Sequence, residues 1–449
     1  MTFIRKIKKK SGTYLAEVKS YRENGKIKQK VIKYLGKEIG DRCVRKICTN
    51  DIAIKNVKQS LDITVINAIA KQLQLDEIQN KHILSLVYSH LLEERSINKI
   101  EEWLRFTEIP EILSIEPSTS KFYEALSDFE EFDKIESNLD LIFRKYDDDK
   151  DIAIIDVTDT YFEGKTENSK KRKGKDGKVR RLIQIGLAVT LNNGFPLFHK
   201  KYHGNLSNIQ IYKDMILKLK ERKLSSVIVD RGMMSPENLK ATLQLEVEVI
   251  TGLIKSPTLI KDFISKIKRD EIYTLKKRIE LKSTAVFVQS FDYMDGTLIV
   301  VYNPSLEVIK KEINFAKGNE NKGHIGFSLI YHNTSLSESE VVKKYYEKEI
   351  VERAFKQLKG ILKLRPIRLF LKEHVEGHVK ICYLAYAILS FMNYKLKKLN
   401  ISAINALDSL KHGYKVTLKD KTNKFDWSLT VPLEPHQKKI LKALSGVTP

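Results

Sequence analysis

Residues 151–162 read "DIAIIDVTDTYF". The run "IAII" is short, rich in β-branched residues and closed by an acid, which reads as a buried strand rather than a helix segment. Downstream, "RLIQIGLAVTLNNGFPLFHKKYHG" (181–204) reads as two strands around an Asn-Asn-Gly turn, and "NIQIYKDMILKLKER" as a helix. "SVIVD" is a second short buried strand, "SPENLKATLQL" a capped helix and "VEVITGL" another strand. Three strands, helix, strand, helix, strand predicts an α/β fold, a mixed sheet with helices on its faces.

Further on, residues 256–325 interrupt this rhythm with lysine-rich, strand-like sequence, including a hairpin turning near Asp295-Gly296. "HIGFSLIY" offers one more strand, and "VVKKYYEKEIVERAFKQLK" (341–359) reads as one continuous amphipathic helix. At about 100° per residue, Tyr345, Lys348, Glu352 and Lys359 fall within roughly a 60° arc beside an apolar stripe. Taken alone, that polar arc is what any solvated helix presents. "HVKICYLAYAILSFMNYKL" (378–396) follows as a buried helix.

Upstream, residues from about 52 to 145 read as helices with apolar faces of helical period. No turn among them is distinctive enough for a helix-turn-helix. The first 36 residues hold eleven Lys or Arg against two Glu and alternate around Asn24-Gly25, a two-residue hairpin signal. Lys26, Lys28 and Lys30 share one face of the second strand. A basic ribbon of this kind follows a phosphate backbone, or its lysines only guard an edge strand. There is no internal repeat.

Composition narrows the function. The 449 residues carry 80 Lys plus Arg against 57 Asp plus Glu, a net charge of +23, with 42% hydrophobic residues. So large a surplus implies a polyanionic partner. The longest apolar run, "ICYLAYAILSFM", is too short to cross a bilayer, and no apolar stretch follows "MTFIRKIKKK" as a signal peptide requires. Nucleic acid is favoured over membrane. Cys43, Cys48 and Cys382 fit a reducing cytoplasm; Cys43 and Cys48 have four residues between them but no second pair or histidine partner nearby, and the sequence offers no clustered histidines for zinc.

Two acids close buried strands: Asp156 after "IAII" and Asp230 after "SVIV". Phosphoryl transfer on nucleic acid by two metal ions needs carboxylates converging from rigid elements, and carboxylate oxygens suit Mg²⁺ or Mn²⁺. Asp159 competes with Asp156, but on a regular strand it points to the opposite face. The loop "KTENSKKRKGKDGKVRR" (165–181), with Lys171, Arg172 and Lys173, holds nine basic and two acidic residues and leaves the Asp156 strand. It is placed to hold a phosphate backbone.

At these residues the chain resembles the DDE transposases of prokaryotic insertion sequences, in the branch with a Tyr-x2-Arg-x3-Glu-x6-Lys signature. Tyr345, Lys348, Glu352 and Lys359 have that spacing, with Lys in place of Arg. "DVTDTYFEG" and "VIVDRGMMS" resemble the family's two aspartate stretches, at Asp156 and Asp230. The separations are 230−156 = 74 and 352−230 = 122 residues. An aspartate common in the family is Asn208 here and receives no role. The resemblance covers about 150–395 and, more weakly, the N-terminal hairpin.

The resemblance implies an RNase H-like core holding two Mg²⁺ ions, Mn²⁺ substituting, through Asp156, Asp230 and Glu352. It implies a cytoplasmic, nucleoid-associated enzyme that binds double-stranded element ends, cleaves them and joins the 3′-hydroxyls to target DNA as a homodimer. Tyr345, Lys348 and Lys359 would grip phosphates. Arg231 is a further phosphate contact or only ties down its turn. The expected organisation is a basic DNA-binding hairpin (1–50), a helical DNA-binding or dimerisation domain (51–148) and a core in two parts (149–255 and 326–398). A β-rich insertion (256–325) divides the core, and a C-terminal region (399–449) is a candidate for dimerisation. Phe287, Phe291, Tyr293 and Tyr302 of the insertion are either base-stacking or ordinary packing residues. The alternatives are an RNase H-like nuclease that does not join strands and a non-catalytic DNA-binding descendant, against which the intact carboxylates argue.

Overall fold

The computed structural model of the protein describes residues 2–10, 12–23, 25–39, 42–44, 52–93, 95–163, 170–174, 177–318, 320, 323–420 and 425–445. The chain forms two compact units, Met1–Lys58 with Gly413–Pro432, and Gln59–His412 with Leu433–Pro449.

In the first unit, Thr2–Lys9, Gly12–Glu23, Lys26–Ile39 and Arg42–Val44 make a four-stranded antiparallel sheet in chain order. The expected hairpin is present, with Gly25 at φ +73° supplying the left-handed turn conformation; Asn24 lies outside the described residues, as do Cys48 and the Cys43 side chain. Lys26, Lys28 and Lys30 stand opposite Glu23, Tyr21 and Lys19, all three exposed. Residues 52–59, which the sequence places in the helical block, instead form a strand in a second sheet with Tyr414–Asp420 and Phe425–Thr430. Local periodicity hides it because its partners lie at the far end of the chain: Lys55 Nζ donates to Asp426 Oδ2 at 2.7 Å, across 371 residues.

The second unit is built on a ten-stranded mixed sheet. Pro196–His203, Val179–Thr190 and Ile152–Tyr161 are antiparallel neighbours, and Ser226–Val229 and Glu248–Leu253 follow, both parallel to Ile152–Tyr161. This is the expected RNase H-like arrangement. Phe327–His332 then pairs antiparallel with Glu248–Leu253 and carries Gly296–Tyr302, Ala285–Tyr293 and Arg278–Glu280 outward. The β part of the insertion thus extends the core sheet.

The rest of the insertion is not strand-like. Pro257–Leu259 and Arg269–Ile272 are short helical turns, and Pro304–Ala316 is a helix. Asn303 caps that helix, accepting the Leu306 N–H at 3.0 Å, and Pro304 opens it, a start signal that the β-branched residues obscure. Phe287 and Tyr302 are buried, while Phe291 and Tyr293 pack on Phe263, so ordinary packing accounts for all four aromatics.

Alternation along the strands divides the core. Ile154, Ile185, Leu187 and Ile228 face the long helix Lys372–Leu396 and the helices of 61–144 in one cluster; Ala153, Ile155, Val157, Val227 and Val229 face Ile211, Tyr212 and Met215 in the other. The helices between 61 and 144 therefore share the ten-stranded sheet's core. No helix among the described residues is long and apolar enough to cross a membrane.

Candidate active site

The sheet register decides where the two aspartates stand. Ile228 pairs with Ile154 and Val229 with Ile155 on parallel neighbours, and Asp230 and Asp156 are the next residues of each. Residues level with each other on parallel strands share a face, so both carboxylates lie on the Ile154–Ile228 side. The two strands then differ. Ser226–Val229 ends and turns away at Asp230, whereas the Asp156 strand runs on to Tyr161, against the expectation that both acids mark strand ends. Its continuation stays paired with Val179–Thr190 on one side. On the other, Thr160 Oγ1 donates to the Leu364 carbonyl at 3.0 Å and the Ile367 N–H to the Tyr161 carbonyl at 2.9 Å. A cleft opens where one strand stops and the other continues.

The helix Glu349–Gly360 covers that cleft. Val351, Ala354, Phe355 and Leu358 are buried against the sheet, which leaves Glu352 on the cleft side. Asp156, Asp230 and Glu352 line one cavity of about 500 Å³, together with Thr158, Lys348, Lys356, Lys359 and Arg365. The expected single helix is broken: Glu338–Glu347 and Glu349–Gly360 meet at Lys348, where Lys348 N–H bonds the Tyr345 carbonyl at 3.3 Å and Val351 N–H bonds the Lys348 carbonyl at 3.2 Å. Two i→i−3 bonds tighten this turn. Lys348 reaches the cleft from it, donating to Asp230 Oδ1, with its ammonium 4.7 Å from the Tyr345 ring centre.

Charge in the cleft is nearly balanced. Burial pushes the Asp230 carboxyl upward, but the Lys348 ammonium and the backbone N–H groups of Gly232 and Arg231 outweigh it and hold the pKa below the usual carboxylate range. Burial opposes the charge on Lys348 too, yet Tyr345 and Asp230 raise its pKa. Lys359 donates to Thr158 Oγ1. Asp156 Oδ1 accepts the Val157 N–H at 2.7 Å.

Tyr345 owes its place to a residue the sequence reading passed over. A Cβ built on Gly252 would overlap the Tyr345 hydroxyl, so only glycine in "ITGL" lets the ring lie against that strand. Lys356 and Arg365 were likewise missed as lining residues. Lys356 is visible on the helix's polar stripe, but Arg365 carries no local signal.

The other candidates are not among the described residues that line the cavity. Arg231 is exposed in the turn after Asp230. Lys171 and Lys173 are exposed on the strand Lys170–Lys173, paired with Val179–Thr190, and the Arg172 side chain lies outside the described residues. Asp159 is buried on the opposite face, level with Gln184. Lys26, Lys28 and Lys30 belong to the first unit.

One expectation fails outright. Far from lacking a histidine cluster, the described residues bring His90, His378 and Cys382 together with donor atoms all within 4.8 Å of one another. Its members lie 288 and 292 residues apart (378−90 and 382−90), beyond the reach of spacing rules.

The chain matches the family model "Transposase DDE domain" over residues 147–388 and "IS1634 family transposase, N-terminal domain" over residues 4–47. Among solved structures it is similar to a piggyBac transposase in a synaptic complex with hairpin DNA, at 11% identity and a TM-score of 0.41, over 78% of this chain and 76% of that one. No curated protein sequence matches.

Proposed function

Because this chain belongs to the DDE transposase family, we propose that its second unit cleaves DNA strands at the ends of an insertion sequence and joins the freed 3′-hydroxyls to target DNA. The observation that carries this reading is the register that sets Asp156 beside Asp230 on the face covered by the Glu352 helix. These three carboxylates are the proposed catalytic residues and metal ligands. The donor set fits: all three offer the hard oxygens that Mg²⁺ and Mn²⁺ take, and the Lys348 ammonium already stands as a cation against Asp230. Two such ions, when bound, supply Lewis acidity to the attacking and leaving oxygens of a phosphodiester.

The chain's own residues do the rest. Lys348 and Lys359, held by Asp230 and Thr158, exchange those partners for phosphate oxygens of the cleaved strand. Tyr345 fixes Lys348 against the strand end. Lys356, Arg365 and the exposed Arg231, Lys171 and Lys173 extend the cationic track along the duplex, where each neutralised phosphate adds to a salt-dependent affinity. In the first unit, Lys26, Lys28 and Lys30 present a basic strand to the element end. Two ends require two sites, and the working enzyme is a homodimer.

The test separates Glu352 from its neighbour Glu349. Glu352→Gln keeps size and helix propensity but removes the charge that a hard divalent ion requires. Mg²⁺-dependent nicking of a labelled end duplex and strand transfer should both be nearly abolished, with end binding and melting temperature little changed. Glu349→Gln should stay within about a few-fold of wild type, because Glu349 does not line the cavity. Equal activity of the two variants would remove Glu352 from the site, and nicking without joined products would make the protein a nuclease only.

A further inference from the structure

We propose that His90, His378 and Cys382 form a binding site for one zinc ion that clamps the helix Lys81–Leu92 to the long helix Lys372–Leu396. His378 and Cys382 are four residues apart on one face of the long helix, and His90 comes from the facing helix. Nε2 of His378 lies 3.8 Å from Cys382 Sγ. Two such ligands on one tetrahedral zinc stand roughly 3.6 Å apart, from Zn–N of about 2.05 Å and Zn–S of about 2.3 Å. The His90 and His378 ring centres are 5.4 Å apart at 58°.

Three features distinguish the cluster from ordinary core packing. Nδ1 of His90 is sealed from solvent with no protein hydrogen-bond partner, a rare state for a buried ring nitrogen. The His378 ring also faces the backbone of Leu364 and Lys363, the kind of outer-shell neighbour that orients a ligating imidazole. Cys382 is buried, not disulfide-bonded, and points at the Leu362 carbonyl, 3.4 Å away. Two imidazoles and a thiolate are a soft-to-borderline set that selects zinc over the Mg²⁺ proposed for the carboxylates. The three donors account for three of zinc's usual four positions. Because residues 362–364 follow the Glu352 helix directly, the ion would also anchor the segment that flanks the catalytic cleft.

The test uses full-length protein freed of metal by a chelator. Zn²⁺ titration against a chromophoric chelator should show one tight equivalent per chain, and Co²⁺ in its place should give a thiolate-to-metal absorption band with tetrahedral visible bands. Cys382→Ser should abolish the thiolate band. Both Cys382→Ser and His90→Gln should weaken Zn²⁺ by more than the roughly 10–100-fold that losing an outer-shell partner costs. The double variant Cys43→Ser/Cys48→Ser should keep the band. Absence of the band in wild-type protein, which needs no variant to fold, would overturn the proposal. So would its survival in Cys382→Ser or its loss in Cys43→Ser/Cys48→Ser.

Discussion

Two acidic side chains on amphipathic helices, Glu136 and Glu352, arrive at opposite fates. Glu136 lies on Phe132–Arg144 with no exposed side-chain surface, and its oxygens meet His199 Nδ1 at 2.9 Å, Lys218 Nζ at 2.7 Å and Arg222 Nη2 at 2.8 Å. Burial alone would push its pKa up, yet the His199 and Lys218 contacts bring it to about 2. Glu352 lies exposed on the wall of a cavity shared with Asp156 and Asp230, and Asp230 keeps 47% of its side chain accessible beside the Lys348 ammonium. Completed inside the core, a carboxylate cluster is structural. Left open to solvent with cations that a phosphate can displace, it is equipped for chemistry. Helical position does not distinguish them; the surroundings do.

The largest effect tests that contrast from the catalytic side. Asp156→Asn should slow Mg²⁺-dependent nicking by about 10³-fold or more, roughly 4 kcal/mol of barrier. Its melting temperature should hold or rise, since it removes one of three like charges from the cavity. Glu136→Gln should do the reverse. Breaking a buried, paired charge costs on the order of 3 kcal/mol or more, read as a lower urea midpoint, while nicking per folded molecule is unchanged. The pH dependence has a fixed sign. A carboxyl at about 2 in the folded protein and about 4.3 unfolded stabilises fully above pH 5, and that stabilisation fades as pH falls towards 2. Wild type should lose stability over that window more steeply than Glu136→Gln. A variant that keeps full stability but loses nicking would move Glu136 into the active site.

How far the sequence reaches can be judged from the same residues. Asp156 and Asp230 were legible because each closes a short apolar run, and runs in equal phase on parallel strands put their closing acids on one face. Glu352 was legible from helical period and from the spacing of Tyr345, Lys348 and Lys359. What stayed hidden depends on contacts between distant segments. The strand at 52–59 finds its partners beyond residue 413, and Arg365 enters the cavity only because 364–367 is stitched to the Asp156 strand. The break at Lys348 lies inside an unbroken amphipathic pattern, so periodicity passes straight over it. Glu136 looked like any charged helix residue because its three partners, His199, Lys218 and Arg222, lie 63, 82 and 86 positions away.

A smaller effect is expected at Gly252, a glycine in a strand interior. Gly252→Ala places a methyl group where the Tyr345 hydroxyl lies, so the ring must move and Lys348 loses its support. Nicking should fall by about 10–100-fold, the scale on which misplacing a group near the chemistry acts, with the fold retained. Tyr345→Phe removes the overlapping oxygen. Gly252→Ala should therefore cost less in a Tyr345→Phe background than in wild type, and additive losses would show that the two residues do not communicate.

The smallest and most discriminating effect concerns Lys348, the hinge between the two kinds of carboxylate environment. If its ammonium both compensates Asp230 and contacts phosphate, Lys348→Ala should lower nicking by about tenfold, the worth of one charge-assisted hydrogen bond. It should also change the pH profile. In wild type, burial raises the Asp230 pKa, but Lys348 and the turn N–H groups hold it below the ordinary range. Without the ammonium the raising influence of burial is less opposed, so Asp230 protonates at higher pH and the acid limb of the nicking rate should shift upward. Lys348→Arg keeps the charge and adds a fork suited to carboxylate and phosphate, so both the rate and the acid limb should return towards wild type. Rates measured from pH 5 to 8 for the three proteins decide the matter. An alanine variant that is slow but has an unmoved acid limb would confine Lys348 to phosphate contact, leaving Asp230 compensated by its turn alone.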